Sequence, residues 1–196
     1  MMPLDEFAGE GAPRPWEVSV VANPPGVIAG AAVPCRLTVL SCPPALCPHL
    51  EFALSAEVGQ PVALRWTVQS AEPNTLMATV DIPGPAGIAG RVTSRLRRLG
   101  PVRFEITESA SEQGDAERYA YTPDLGLFRT AMSASGEAVV SEGQLRALLM
   151  SSHEVPAGAT LAHGIERLLG TAWDAELEPL RRSGADAPVS WLRRTG

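Results

Sequence analysis

Apolar and polar positions recur with a clear period only from Arg36 onward. Leu37 to Leu40 is a short β-rich run closed by Cys42-Pro43-Pro44, after which Leu46, Leu50, Ala53, Leu54 and Val58 fall on one helical face. Pro48 suits that helix only in its first turn, and Gly59 ends it. Val62, Leu64, Trp66 and Val68 alternate with Ala63, Arg65 and Thr67, which predicts a half-buried strand. Beyond the turn-forming Ser70 to Asn74, Leu76, Ala78 and Val80 predict its hairpin partner. Ile88, Val92, Leu96 and Leu99 predict a second amphipathic helix closed by Gly100, and Val102, Phe104 and Ile106 a further strand. The order β-α-β-β-α-β predicts an α+β, ferredoxin-like core, with two helices over one face of an antiparallel sheet.

Downstream, Arg118 to Thr122 and Leu127 to Met132 are joined by Pro123-Asp124-Leu125-Gly126, and Ser135-Gly136 turns the chain before Ala138 to Val140. This predicts a C-terminal β-meander that extends the sheet. Two further helices follow. Ser141 with Gln144 forms a capping box for a helix carrying Leu145, Leu148 and Leu149. Leu161, Ile165, Leu168, Leu169, Ala172, Trp173 and Leu177 predict one long helix closed by Pro179, and Val189 to Leu192 a terminal strand. Residues 1–34, with six Pro and four Gly, read as a flexible leader in which Trp16 to Val20 offers one edge strand. Residues 35–196 read as a single domain, with the core at 35–108 and the sheet extension and C-terminal helices at 117–196.

Composition narrows the function classes. The 196 residues carry a net charge of −6, which argues against broad capture of nucleic acid or anionic lipid. All sixteen basic residues are Arg, a compositional bias that forbids reading any one of them as chosen over Lys. Cys35, Cys42 and Cys47 lie within thirteen residues as an odd set, which is no disulfide framework and suits a reducing cytosol. The acidic start lacks a positive n-region, and the apolar run Gly26 to Val33 is far too short to span a bilayer. A cytoplasmic location is expected.

Several separated segments occur in a recognisable order: Ala45-Leu46-Cys47-Pro48-His49, Arg103-Phe104-Glu105 with Thr107-Glu108, and Glu117-Arg118-Tyr119 with Tyr121-Thr122-Pro123. Leu169-Gly170 with Ala172-Trp173-Asp174, Glu176-Leu177-Glu178-Pro179, and Ala187-Pro188-Val189 with Trp191-Leu192 complete the set. From about Arg36 to Gly196 the chain resembles a mostly actinobacterial family catalogued as a domain of unknown function. The resemblance implies no activity, cofactor or catalytic residue.

The chemistry-bearing candidates are few. Cys47 begins the first predicted helix two residues before His49, where helix N–H groups and an imidazolium would favour a thiolate. That pair is the candidate for a thiol-dependent enzyme or redox sensor, against the plainer reading of a packed thiol and a capped backbone. Cys42, Cys47 and His49, with Cys35, could be offered to zinc, but paired C-x-x-C knuckles are absent and neither metal nor cofactor is expected. Arg91, Arg95 and Arg98 form a basic stripe on the second helix, suited to phosphate or an acidic partner and otherwise a solvated face. The polar sheet face, with Arg65, Thr67, Met77, Thr79, Asp81, Arg103, Glu105 and Thr107, lacks the aromatics that would stack RNA bases, and the later hairpins are expected to cover it. Tyr119 and Tyr121 are expected to cluster with Trp173 and Trp191, docking the C-terminal portion. Glu105, Glu108, Glu112, Asp115 and Glu117 read as an acidic loop that could pair with the Arg stripe of a second copy. The sequence points first to a non-catalytic module binding a protein partner or a small ligand, with thiol chemistry as the rival and phosphate or nucleic-acid binding behind both.

Overall fold

The computed structural model describes residues 32–152 and 159–183. Seven strands, β1 (Cys35–Cys42), β2 (Thr67–Val68), β3 (Leu76–Asp81), β4 (Arg103–Glu108), β5 (Ala116–Thr122), β6 (Gly126–Met132) and β7 (Ala138–Val139), form one antiparallel sheet. Their order is β2-β3-β1-β4-β5-β6-β7. The helices are α1 (Cys47–Val58), α2 (Ile88–Leu96), α3 (Glu142–Ser152), α4 (Ala159–Leu169) and α5 (Thr171–Arg182). The protein is α+β, as the periodicities require. The expected strands at Trp16 to Val20 and Val189 to Leu192, and Trp191, lie outside the described residues.

The main core lies between the sheet and α1 with α2. Leu37, Val39, Leu50, Leu54, Ile88, Val92, Leu96, Phe104 and Ile106 are all fully buried there. Pro48 occupies the first turn of α1, and Gly59 closes the helix with φ 77°, in the left-handed region that a Cβ disfavours. α2 begins beneath a carboxylate supplied from elsewhere: Glu108, at the end of β4, accepts from the N–H groups of Gly87 (2.6 Å) and Ala89 (2.8 Å). This satisfies donors that an N-cap side chain would otherwise have to meet.

The expected strand from Val62 to Val68 shortens to Thr67–Val68, because α1 takes the hydrogen bonds that a ladder would have used. Val62 N–H donates to Ser55 Oγ (2.8 Å), and Glu51 Oε1 accepts from both Leu64 N–H and Trp66 Nε1 (2.9 Å each). Val62, Leu64 and Trp66 still pack on the core, so the alternation reported burial rather than pairing. Glu51→Ala is expected to cost about 2 kcal/mol, since a charged acceptor of two donors is lost. Denaturant unfolding with Trp66 emission would show it, and Glu51→Gln, which keeps an acceptor, should cost less.

The opposite sheet face is covered by α5, not by the later hairpins, which instead lengthen the sheet sideways. Leu177 and Leu180 pack with Leu40, Ala120 and Phe128 in a second core. Trp173 lies against Phe128 with ring centroids 5.2 Å apart and donates from Nε1 to Gly126 O (2.9 Å). Tyr119 and Tyr121 do not join it. They face α1 and α2, Tyr121 stacking on Phe104, because β5 alternates and Ala120 holds the α5 side. The expected single C-terminal helix is broken in two at Gly170 (φ 77°), while Pro179 lies inside α5 and does not end it. The capping box forms as expected: Gln144 N–H donates to Ser141 Oγ (3.2 Å) and Ser141 N–H to Gln144 Oε1 (2.9 Å).

Candidate functional site: an arginine-lined groove beside α2

Two helices about 10 Å apart cover roughly four strands spaced near 4.8 Å, so among the described residues α1 and α2 leave part of that face of the seven-stranded sheet uncovered. The uncovered part begins where β5 and β6 pass α2. There a groove of about 720 Å³ is lined by Glu57, Gly90, Arg91, Thr93, Ser94, Arg95, Arg98, Tyr119, Leu127 and Arg129 among others. All three arginines of the predicted stripe reach it. Their states differ. Arg95 is held by Glu57 of α1 (2.8 Å), Arg91 lies 4.0 Å from the same carboxylate, and Arg98 makes no ion pair among the described residues.

The far wall was not foreseen. Arg129 on β6 pairs with Glu117 on β5 and lies over the Tyr119 ring, 5.7 Å from its centroid. Tyr119 donates its hydroxyl to Glu117. Burial first, and the hydrogen bond to Glu117 second, push the Tyr119 phenol up to about 12, so it stays a donor at neutral pH. Burial alone would raise Glu117, but Arg129 and Tyr119 outweigh it and hold the carboxyl below its ordinary value. Tyr119 also explains Gly90: a Cβ there would sit 3.1 Å from the Tyr119 hydroxyl, so the glycine lets α2 approach β5. Thr93, fully buried in this wall, has a hydroxyl without a hydrogen-bond partner among the described residues. The pairing of Arg129 with Tyr119 follows from strand register, Tyr119 opposite Arg129, which no local pattern announces.

The expected acidic loop is not one. Glu105 and Glu108 lie on β4 and Glu117 on β5, each with its own partners: arginines for Glu105, the α2 amides for Glu108, Arg129 for Glu117.

Cys47 and His49 lie in different surroundings at the start of α1. The imidazole is exposed, whereas the thiol is buried and lies 3.8 Å from Cys42 Sγ. Burial pushes the Cys47 thiol up in spite of its place at the start of α1, and pushes Cys42 and Cys35 up to about 12. No group of three or more His, Cys, Asp and Glu side chains among the described residues could hold a metal ion, and no described helix is long and apolar enough to cross a membrane.

Some of the residues that carried the resemblance, Arg103, Glu105, Arg118, Asp174 and Glu176, converge elsewhere, beneath α5. Arg118 binds Glu105 and Asp174 (2.6 Å each), Arg181 binds Glu105 (2.6 Å) and Asp174 (2.8 Å), and Arg103 joins Glu176 (2.9 Å) and Glu72 (3.1 Å). These five residues therefore help to dock α5. A family model described as a protein of unknown function (DUF3145) matches residues 36–194. The chain belongs to this family. DUF3145 thus spans both cores and the groove, and no curated protein and no solved structure matches the chain.

Proposed function

We propose that this DUF3145 chain is a binding module, non-catalytic in itself, whose contact surface is the groove between α2 and the β5–β6 strands. The carrying observation is the weak engagement of two cations: among the described residues Arg98 makes no ion pair and Arg91 only a 4.0 Å contact with Glu57, on a surface of a chain with net charge −6. Guanidinium forks favour carboxylate or phosphate, and the exposed Leu127 beside them offers an apolar contact. An acidic protein segment or a small anionic ligand fits these donors. The strand order β2-β3-β1-β4, with α1 and α2 on one face, supports a ferredoxin-like arrangement of the core, beside which β5 and β6 build the floor of the groove.

Arg91→Glu with Arg98→Glu is the informative pair, because Arg95 already serves Glu57. Titration calorimetry of the full chain with inorganic pyrophosphate and, separately, with a glutamate-rich nonapeptide should show salt-sensitive binding of at least one probe. The double variant should weaken it by about tenfold or more while circular dichroism stays unchanged. Equal binding by variant and parent, or none by either, would overturn the proposal.

A further inference from the structure

The two thiols at the end of β1 and the start of α1 meet because of a bulge. β1 alternates Leu37 and Val39 toward α1 and α2, so Ser41 should face them next and Cys42 should face α5. Between Val39 and Cys42 the strand holds one residue too many: Val39 pairs with Ala78 but Cys42 pairs with Leu76. Leu40 therefore stays in the α5 core while Cys42 turns into the α1 core. Pro43 and the one-turn 3-10 helix Pro44–Leu46 then return the chain tightly, setting Cys47 Sγ 3.8 Å from Cys42 Sγ. Cys35, equally buried, has no sulfur beside it among the described residues.

We infer that Cys42 and Cys47 are a dithiol that closes reversibly to an intramolecular disulfide, with a hydroperoxide as oxidant. Cys47 is the attacking thiol, since it keeps 6 % of its surface exposed and Cys42 keeps none. Its thiolate attacks a peroxide oxygen, the O–O bond breaks, and the alkoxide leaves as the alcohol, giving a sulfenic acid. The Cys42 thiolate then attacks Cys47 Sγ, the S–S bond forms, and the sulfenic oxygen leaves as water. Two electrons pass to the peroxide, and the two thiol protons end on the alcohol and the water. The sulfurs must approach by roughly 1.8 Å to reach bonding distance, a movement that side-chain rotation on a bulged strand end can supply. Because burial holds both thiols protonated, closure should be faster near pH 9 than near pH 7. This inference does not depend on the arginine groove.

The test uses the full native chain and excess hydrogen peroxide, followed by alkylation in urea and tryptic digestion. The chain has no Lys, so one peptide, residues 37–65, carries Cys42 and Cys47 without any Met, and Cys35 falls in another. The 37–65 peptide should emerge unalkylated and about 2 Da lighter, Cys35 should be alkylated, and dithiothreitol should reverse the change. In Cys42→Ser, Cys47 should stop as a sulfenic acid that dimedone traps. Two alkylated cysteines in the native peptide, closure only in urea, or a disulfide between two copies would each overturn the inference.

Discussion

Glu105→Ala is expected to lower stability by about 3 kcal/mol and to loosen α5 before the rest of the protein. Glu105 lies beneath α5 with only 14 % of its side chain exposed, and its carboxylate is shared by Arg118 and Arg181. Removing it leaves two partly buried guanidiniums facing each other across a gap, with Asp174 as their common counter-charge. Breaking a buried network by deleting one partner costs more than the pair contributes, because the remaining charges stay desolvated. Partial exposure of Arg181 discounts the value toward the lower end. Glu178→Ala is the control: its pairs with Arg181 and Arg182 lie at the surface, so it should be near neutral. Urea unfolding with hydrogen exchange of the Leu177, Glu178 and Leu180 amides would separate loss of α5 from global unfolding.

The same network sets an acid limit. Burial opposes ionisation of Glu105 and of Asp174, but the hydrogen bonds from Arg181 and Arg118 outweigh it and hold both carboxyls below their ordinary values. A depressed folded-state pKa contributes stability above the unfolded value of about 4, and that contribution is lost as pH falls through the folded value. α5 protection should therefore be constant near neutrality and fall off below about pH 4. In Glu105→Ala the fall should be shallower.

Gly170→Ala is expected to be as damaging, at about 3 kcal/mol, for a reason that no contact inventory of α5 would show. Gly170 breaks the α4–α5 helix with φ 77°, where a Cβ costs on the order of 1 kcal/mol. The added Cβ would also stand 2.5 Å from Cε1 of Phe128, the ring that Trp173 packs on. Phe128 is itself buried between β6 and α5, so the ring cannot yield without opening the second core, and overpacking of this kind costs about 1–3 kcal/mol. Thermal unfolding and loss of the Trp173 near-ultraviolet signal should report it. Gly164→Ala offers a comparison, since the atoms nearest its Cβ belong to Leu148 of α3, with Cδ1 at 2.1 Å, and it should disturb the α3–α4 contact while leaving α5 seated.

What the sequence determined by itself is local. Period and punctuation placed α1 with its Pro48 start and Gly59 stop, α2 with its buried Ile88, Val92 and Leu96, the β5–β6 hairpin, and the capping box at Ser141 and Gln144. These depend on neighbours within a turn or two, where side-chain spacing and backbone freedom act directly. It also marked Arg91, Arg95 and Arg98 as one stripe: helical spacing puts Arg91 and Arg95 on one face of α2, and Arg98 follows in the 3-10 turn Arg97–Leu99.

The tertiary structure decided which partner each of those faces meets. A 3.6-residue period continues through Leu169 and Ala172, so nothing local shows that Gly170 turns the chain and carries α5 over the sheet. Alternation in Val62 to Val68 looks the same whether the backbone donors go to a strand or to Glu51 and Ser55. The bulge after Val39 turned Cys42 toward Cys47, and strand register brought Arg129 to Tyr119 and thence to the α2 arginines. Period reports which side of an element is buried, whereas register, bulges and long-range hydrogen bonds choose the neighbour, and in this protein the groove and the dithiol are both products of that choice.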